Sequence, residues 1–230
     1  MIKFLLNKIV SIIRKDNSFK IDNNVPNKYV LSFLVNKTIS FFFGQIKLFR
    51  IGPYFVHPSV KLDCISKINT TGVLSIAKNC HISGLSKDGI SFGKNISIHA
   101  NTSIECSGTL LDLGKGIVIG DNVGIGRNCH FGGAGGLVIG SDTIFGQYVS
   151  IHPENHNFKD LTTPIRRQGV NRIGINIGEN CWIGSKVTIL DGVNIKNGVI
   201  IAAGALVLKG TYEENLIYGG VPAKKIGIRG

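Results

Sequence analysis

Proline is scarce in this sequence, and glycine lacks the regular spacing of a fibrous protein. Of 230 residues, 6 are proline, and the 30 glycines do not recur at every third position. This pattern excludes a collagen-like triple helix, so the glycines serve a different periodic need of the backbone. With 43% hydrophobic residues, the chain can build a real core, which excludes disorder throughout. These features together indicate a folded protein with internal repeats.

The sequence also lacks a long uninterrupted apolar run. Its start, MIKFLLNKIVSIIRKDN, has a broken apolar stretch and no small-residue cleavage site, unlike a secretory signal. The apolar stretch 29–43 is interrupted by Asn36 and Lys37, which argues against a membrane-spanning helix. We therefore expect a cytoplasmic protein.

Acidic residues are few, particularly near the N-terminus. The chain has 14 Asp and Glu against 26 Lys and Arg, and in residues 1–50 nine basic side chains face only Asp16 and Asp22. A basic, partly apolar segment suits an anionic membrane surface, an acidic substrate or nucleic acid, although it also fits the solvated face of a packed helix. We do not expect nucleic-acid binding, because no aromatic platform or known module accompanies the charge. The alternatives that remain are contact with the inner membrane face and packing on the rest of the protein.

Cysteine occurs five times, in a pattern that does not suggest metal or disulfides. Cys80, Cys129 and Cys181 each occupy the fifth place of a six-residue unit, in IAKNCH, IGRNCH and IGENCW. The shared place predicts small thiols that face a core. No metal is expected.

A six-residue period runs through the chain from about Val56. An aliphatic residue, usually followed by a glycine or another small residue, recurs in IGDNVG, IGRNCH, IGSDTI, FGQYVS, IGENCW, IGSKVT, ILDGVN, IKNGVI and IAAGAL. One buried aliphatic per unit predicts a short strand on each side of a triangular coil, with parallel pairing between coils about 4.8 Å apart. Gly, Asn and Asp after the aliphatic residue can adopt the backbone conformations that the turns between strands require. The fold class is therefore all-β, a parallel β-helix of hexapeptide repeats.

The repeat divides the chain into three parts. Residues 1–50 lie outside it and read as a basic amphipathic helical segment, best seen in IKFLLNKIVSIIRK, which would cap the open first coil. Residues 51–210 form the β-helix domain, with breaks at 84–89, 108–116 and 132–136 and a long break at 152–176. Residues 211–230 form a C-terminal tail. A break of more than twenty residues in a strict array is usually functional, so chemistry is expected in loop 152–176.

Two of the six histidines enter this long loop, His152 and His156. A neutral imidazole there can accept a proton from a hydroxyl at physiological pH. His81, His99 and His130 fall at outward or turn places of repeat units and fit a surface role better.

The segments ENHNFKDLTTPIRRQG, IGENCWIGSKVTILDGVNIKNGVIIAAGALVLKG and GGVPAKKI resemble the hexapeptide-repeat O-acetyltransferases, which include galactoside, maltose and streptogramin acetyltransferases and enzymes of bacterial surface polysaccharides. The resemblance covers most of residues 56–230. It implies a left-handed β-helix and acetyl-CoA as the cosubstrate. It also implies a homotrimer whose channels lie between protomers, and a carbohydrate acceptor that is free, nucleotide-linked or lipid-linked.

The resemblance also implies a catalytic residue. The family's general base is a loop histidine, in an asparagine-histidine pair in the streptogramin enzymes, and Asn155 and His156 match this pair. Some relatives have His-x-His, where this chain has Glu154 and His156. This departure favours His156 as the base, with Glu154 as an orienting partner.

Several positions match the family's coenzyme channel. Trp182 and Ser185 correspond to residues beside the acyl and pantetheine arm, and Ala203 and Gly204 to a small pair that lets the arm lie close. The residues that match the region around the CoA nucleotide are Lys209, Pro222, Lys224 and Lys225. The family's Thr-Lys-Asp is replaced here by Leu208, Lys209 and Gly210, which removes one polar contact to the adenine end of CoA.

Other functions remain open from the sequence. The same scaffold supports N-acylation of an amino-sugar nucleotide. A zinc protein similar to the γ-carbonic anhydrases would need three histidine ligands, of which His152 and His156 could provide two. A non-catalytic β-helix would not account for both the loop histidine and the coenzyme-like tail.

Overall fold

The computed structural model describes residues 2–14 and 20–230. Two α-helices come first, α1 (Ile2–Arg14) and α2 (Asn27–Leu48). A coil of short strands follows from Tyr54 onward, with short 3-10 helices at Ile65–Lys67 and Ile165–Arg167. This is the predicted order, a helical N-terminal segment and then a β-helix.

The strands stack into three parallel sheets that form the faces of a left-handed β-helix. Face A comprises Tyr54–Val56, Leu74–Ile76, Ile96–Ile98, Gly124–Ile125, Ile144–Phe145, Trp182–Ile183, Ile200–Ile201 and Leu216–Gly219, with Lys224–Ile228 added antiparallel at its end. Face B comprises Lys61–Asp63, His81–Ser83, Ser103–Glu105, His130–Gly132, Ser150–His152, Thr188–Leu190 and Leu206–Val207. Face C comprises Ile68–Thr70, Ile90–Phe92, Ile117–Ile119, Leu137–Ile139, Ile175–Ile177, Val193–Ile195 and Gly210–Tyr212.

The core is a set of stacked aliphatic columns inside these faces. On face B, Ile82, Ile104, Ile151 and Ile189 belong to one column, with Phe131 between Ile104 and Ile151, and all five are essentially inaccessible to solvent. Parallel pairing in register brings the same place of each unit to the same height in every coil. The predicted inward position of Cys80, Cys129 and Cys181 is confirmed, since all three are buried at a corner of the coil.

The corners need a left-handed backbone, which is supplied by the fourth place of the repeat. At the corner between faces A and B, Asn79, Asn101 and Asn128 have φ of 58°, 61° and 57°. Their side-chain amides bond in a column, Asn79 to Asn101 at 3.3 Å and Asn101 to Asn128 at 3.0 Å. Asparagine tolerates this conformation because its side chain forms local hydrogen bonds.

The glycine after the aliphatic has a different role from the one the sequence suggested. Gly146 does not have a positive φ; instead, a Cβ there would lie 2.5 Å from the main-chain nitrogen of Ser185 in the next coil. These glycines therefore permit close stacking of coils, whereas the left-handed turns fall two places later.

Helix α2 covers the first coil. Leu48 is buried in the same core cluster as Tyr54 and Val56, and a Cβ on Gly44 would collide with the carbonyl of Tyr54. Within the described part of the chain, no helix has the length and hydropathy needed to cross a bilayer.

Candidate active site

All breaks in the repeat emerge at one corner, between faces B and C. The longest occupies 153–174, slightly shorter than the predicted 152–176, because His152 still belongs to the strand Ser150–His152 and the next strand begins at Ile175. The loop is therefore rooted at both ends in the coil and stands on top of shorter loops from the preceding coils.

An antiparallel hairpin within this loop carries the predicted base. Asn155–His156 pairs with Val170–Asn171, with His156 opposite Val170 and Asn155 opposite Asn171. The amide of Asn157 continues the hairpin by donating to the carbonyl of Gly169 at 3.0 Å. The main chain thus fixes the position of His156, whose side chain is exposed.

Glu154 does not contact His156 and pairs instead with Arg172. The guanidinium Nε of Arg172 donates to Glu154 Oε2 at 2.9 Å, and its NH1 lies 2.8 Å from Asp112 Oδ2 in the loop of the third coil. Arg172 is only 20% exposed, and its planar group suits two carboxylates at once. This arginine clamp joins the two ends of the hairpin to the loop below. Apart from the presence of charge, no sequence signal could have found it.

A second anchor holds the far end of the loop. Asp191, at the same corner of the next coil, is 2% exposed, and its carboxylate accepts the amides of Ile173 at 2.9 Å and Gly174 at 2.8 Å. A buried carboxylate needs such donors, and charge-assisted hydrogen bonds of this kind are strong. Sequence reasoning missed this residue too, because an Asp in a turn has many ordinary uses.

Histidines and serines cover the outer surface of face B beside the loop root. Ser103 Oγ lies 2.8 Å from His130 Nδ1, and the rings of His130 and His152 are 5.5 Å apart. His152 also bonds to Ser150. Partial desolvation lowers the pKa of His152, and the adjacent His130 lowers it further. The described residues contain no group of three His, Cys, Asp or Glu side chains placed to hold a metal.

Four of the predicted coenzyme residues lie together elsewhere, along face A and the corner between faces A and B. Trp182 projects outward from face A and is 52% exposed, while Ser185 follows at the corner. Gly204 lies directly above Ser185, since its amide donates to the Ser185 carbonyl at 2.8 Å, and Ala203 precedes it. A Cβ on Gly204 would meet no atom within 4 Å, so this backbone borders open space.

The remaining coenzyme residues divide between two places. Lys209 lies at the corner between faces B and C, in the coil beyond Asp191, where its side chain passes Gly192. Pro222 precedes the terminal strand that carries Lys224 and Lys225, and the Ala223 amide donates to the Leu206 carbonyl at 2.8 Å. This bond holds the tail over the last coil on the side of Ala203 and Gly204.

Within one chain, therefore, the predicted base and the predicted coenzyme wall lie at different corners. His156 emerges between faces B and C, whereas Trp182, Ser185 and Gly204 lie beyond the other edge of face B. A concave surface beside the loop root on face C is lined by Val118, Val138, Ile173 and Asn176. None of the predicted site residues is among the described residues that line it.

Comparison with known proteins finds one matching family model and similarity to two acetyltransferases. Residues 174–209, in the last three coils, match the family model described as bacterial transferase hexapeptide (six repeats). The chain is 29% identical over 145 residues to WbbJ of Escherichia coli (strain K12), named as an O-acetyl transferase of lipopolysaccharide biosynthesis. It is 28% identical over 165 residues to Rv3034c of Mycobacterium tuberculosis, named as an acetyltransferase. These alignments cover 60% and 64% of this chain, and 70% and 52% of the two relatives.

A solved structure shares the fold. AntD, an N-acyltransferase from Bacillus cereus that was crystallised as a point mutant with dTDP and coenzyme A, superposes with a TM-score of 0.56 at 20% identity. The match covers 71% of this chain and 83% of AntD. At this identity the likeness concerns the left-handed β-helix fold and not the substrate.

Proposed function

We propose that this chain is a hexapeptide-repeat acyltransferase that transfers an acetyl group from acetyl-CoA to a sugar hydroxyl, with His156 as the general base. The observation that carries this proposal is the hairpin Asn155–His156, which presents an exposed imidazole from a loop anchored at both ends. An anchored base can be held at hydrogen-bond distance from a hydroxyl, which general base catalysis requires.

The proposed reaction is a direct transfer. His156 takes the proton of the acceptor hydroxyl while that oxygen attacks the thioester carbonyl, and the imidazolium then protonates the departing thiolate. The C–S bond breaks, a C–O ester bond forms, and no acyl-enzyme is required. Fixing the hydroxyl and the thioester together supplies much of the rate.

The residues at the corner between faces A and B fit a coenzyme arm. Trp182 offers a flat apolar wall, and the exposed backbone at Ala203 and Gly204 leaves room for close approach. Lys224 and Lys225, exposed on the terminal strand, offer ammonium groups for the phosphates of CoA, with Pro222 shaping the turn before them. Lys209 is separated from this group by the width of face B. It would contact a coenzyme bound at the corner between faces B and C, where the loop of His156 emerges.

The separation of the two groups supports a homotrimer with shared sites. Since His156 and Trp182 lie on opposite sides of face B in one chain, a complete site would combine the loop of one protomer with the coenzyme wall of its neighbour. Closed cyclic symmetry then gives three equivalent sites.

The acceptor is proposed to be a carbohydrate of surface polysaccharide biosynthesis, acetylated in the cytoplasm. The relative named for lipopolysaccharide biosynthesis supports this choice, as does the open setting of His156, which leaves room for a large acceptor.

The test is acetyl-CoA turnover against paired acceptors that differ only in a hydroxyl or an amine at one sugar carbon. Release of CoA with hydroxy sugars, together with an ester product by mass spectrometry, is the expected result. Turnover only with the amino partners would replace O-acetylation by N-acylation. Turnover with neither class across free, nucleotide-linked and lipid-linked glycans would contradict the sugar acceptor.

A further inference from the structure

Helix α2 has an apolar stripe on the side that points away from the coil. On the side that faces the coil, Leu48 joins the core of the coil, Gly44 approaches the carbonyl of Tyr54, and Lys37 bonds to Ser75. On the opposite side lie Leu31, Val35, Ile39, Phe42 and Ile46, which are 54%, 50%, 41%, 61% and 64% exposed. Their spacing of three or four residues places them along one line of the helix. We call these five residues the outer stripe.

The apolar surface continues past the end of the helix. Phe49 is 83% exposed and Ile51 is 96% exposed. Phe49 adopts a left-handed conformation at the helix C-cap, with φ of 51°, which is unusual for a bulky residue. Soluble surfaces rarely keep a continuous apolar area of this kind without a partner.

The charges of α2 favour an anionic partner. The helix contains Lys28, Lys37 and Lys47 and no acidic residue. Lys37 and Lys47 bond to the coil, through Ser75 Oγ at 2.8 Å and the Val60 carbonyl at 2.6 Å, whereas Lys28 is exposed one turn before Leu31. The cations Lys8 and Lys20 are exposed nearby in the chain.

A second copy of the helix would bring like charges together with no carboxylate on α2 to compensate them. An anionic bilayer would instead accept the apolar side chains at the level of its headgroups and attract the flanking lysines. The combination of an apolar stripe with lysines and no acidic residue on α2 therefore matches a phospholipid surface better than it matches a copy of the same helix.

We propose that the outer stripe of α2 docks this protein on an anionic phospholipid surface, with Lys28 at the headgroups and Phe42 and Ile46 inserted below them. The docking is independent of the acyl transfer itself and would place the enzyme at a membrane where lipid-linked glycans are built. It rests on α2 and on no residue of the proposed active site.

The experiment is co-sedimentation of the full chain with vesicles of phosphatidylcholine and phosphatidylglycerol (3:1), compared with pure phosphatidylcholine. We expect binding to the anionic vesicles that weakens at high salt, since the screening length shortens. The variant Phe42→Gln/Ile46→Gln should lower this binding by about tenfold or more, because two inserted apolar side chains are lost. The matched control, Ser32→Gln/Asn36→Gln, makes two glutamines at exposed polar positions of the same helix and should bind like the parent.

Two further readouts make the result decisive. Thermal melting checks that both variants fold, and acetyl-CoA turnover with a soluble acceptor should be the same in all three proteins, so a failure of docking is separate from a failure of the proposed reaction. Equal binding to neutral and anionic vesicles, or no binding to either, would overturn the proposal. So would a smaller particle mass for Phe42→Gln/Ile46→Gln than for the control, which would assign the stripe to contact between copies.

Discussion

His156 is held by its neighbours in the main chain, while its imidazole stays exposed. Pairing with Val170 fixes where the residue lies, and the arginine clamp fixes the hairpin on the coil. An imidazole in such a setting can meet a substrate without first breaking a bond inside the protein. Removal of this side chain should therefore affect chemistry and leave the fold intact.

The first prediction concerns this base. His156→Ala should reduce turnover by roughly two to four orders of magnitude, the scale for loss of a general base, with an unchanged melting temperature. The matched control is His57→Ala at the first coil, where the imidazole hydrogen-bonds with Ser59, and it should keep normal turnover. Near-normal acetylation by His156→Ala, measured as CoA release, would remove His156 from the mechanism.

The cysteines allow a second prediction at the same scale. Burial raises the pKa of the Cys80, Cys129 and Cys181 thiols, and it raises that of Cys106 to about 11. Cys64 is exposed. A folded thiol that is both buried and protonated reacts slowly, because the thiolate is the nucleophile.

One thiol per chain should therefore react with Ellman's reagent in the native protein, and all five should react in guanidinium chloride. The variant Cys64→Ser should abolish the native reaction. Rapid labelling of two or more thiols in the folded protein would contradict the inward position of the corner cysteines.

At the scale of elements, the loop 153–174 depends on contacts from outside itself. Arg172 reaches Asp112 in the loop of the third coil, and Asp191 in the sixth coil receives the amides of Ile173 and Gly174. The loop is thus positioned from below and from above. The fixed position of the loop would be lost before the coil itself unfolds, because the hydrophobic core of the coil contains none of these hydrogen bonds or ion pairs.

The third prediction is that Arg172 is a positioning residue. Arg172→Ala should lower kcat by about ten- to a hundredfold, as expected when a reacting group is misplaced, and leave the KM for acetyl-CoA almost unchanged. Arg172→Lys should recover part of the loss, since one cation can still pair with Glu154 or Asp112. The control Lys159→Ala removes an exposed cation of the same loop. Equal losses for Arg172→Ala and the control, or a change confined to KM, would speak against positioning.

At the scale of the whole molecule, the two halves of the proposed site lie on opposite edges of face B. A monomer therefore holds both halves without joining them. If trimers share their sites, two variants with different defects can repair each other in a mixed assembly.

The fourth prediction tests this repair. His156→Ala and Trp182→Ala, mixed in equal amounts after reversible dissociation, should recover up to about a quarter of the wild-type sites, since that share of interfaces pairs two intact halves. Each variant treated alone should stay inactive or impaired. Absence of recovery in mixtures whose trimeric mass is verified would show that each site belongs to one chain.

The residues that belong to the repeat were predictable from the sequence. Periodic aliphatics are repeated at every turn of the coil, so each unit confirms the next, and Cys129 and Ile151 face inward as their places in the unit require. His156 was found because it interrupts this order. Arg172 and Asp191 were not found, since Arg172 and its partner Glu154 both lie in the loop outside the repeat, and nothing in the sequence distinguishes Asp191 from an ordinary Asp in a turn.

The sequence by itself determined the coil, its order of strands and the loop that leaves it. A six-residue period buries one aliphatic side chain per unit when the units stack as parallel strands. The tertiary structure alone decided where the functional groups lie relative to one another. In the structure every break lies at one corner, and Glu154 pairs with Arg172 and not with His156. A face of the coil separates His156 from Trp182. These relations depend on how many residues turn each corner and on which side chains meet across coils, and such distances are set by stacking in three dimensions.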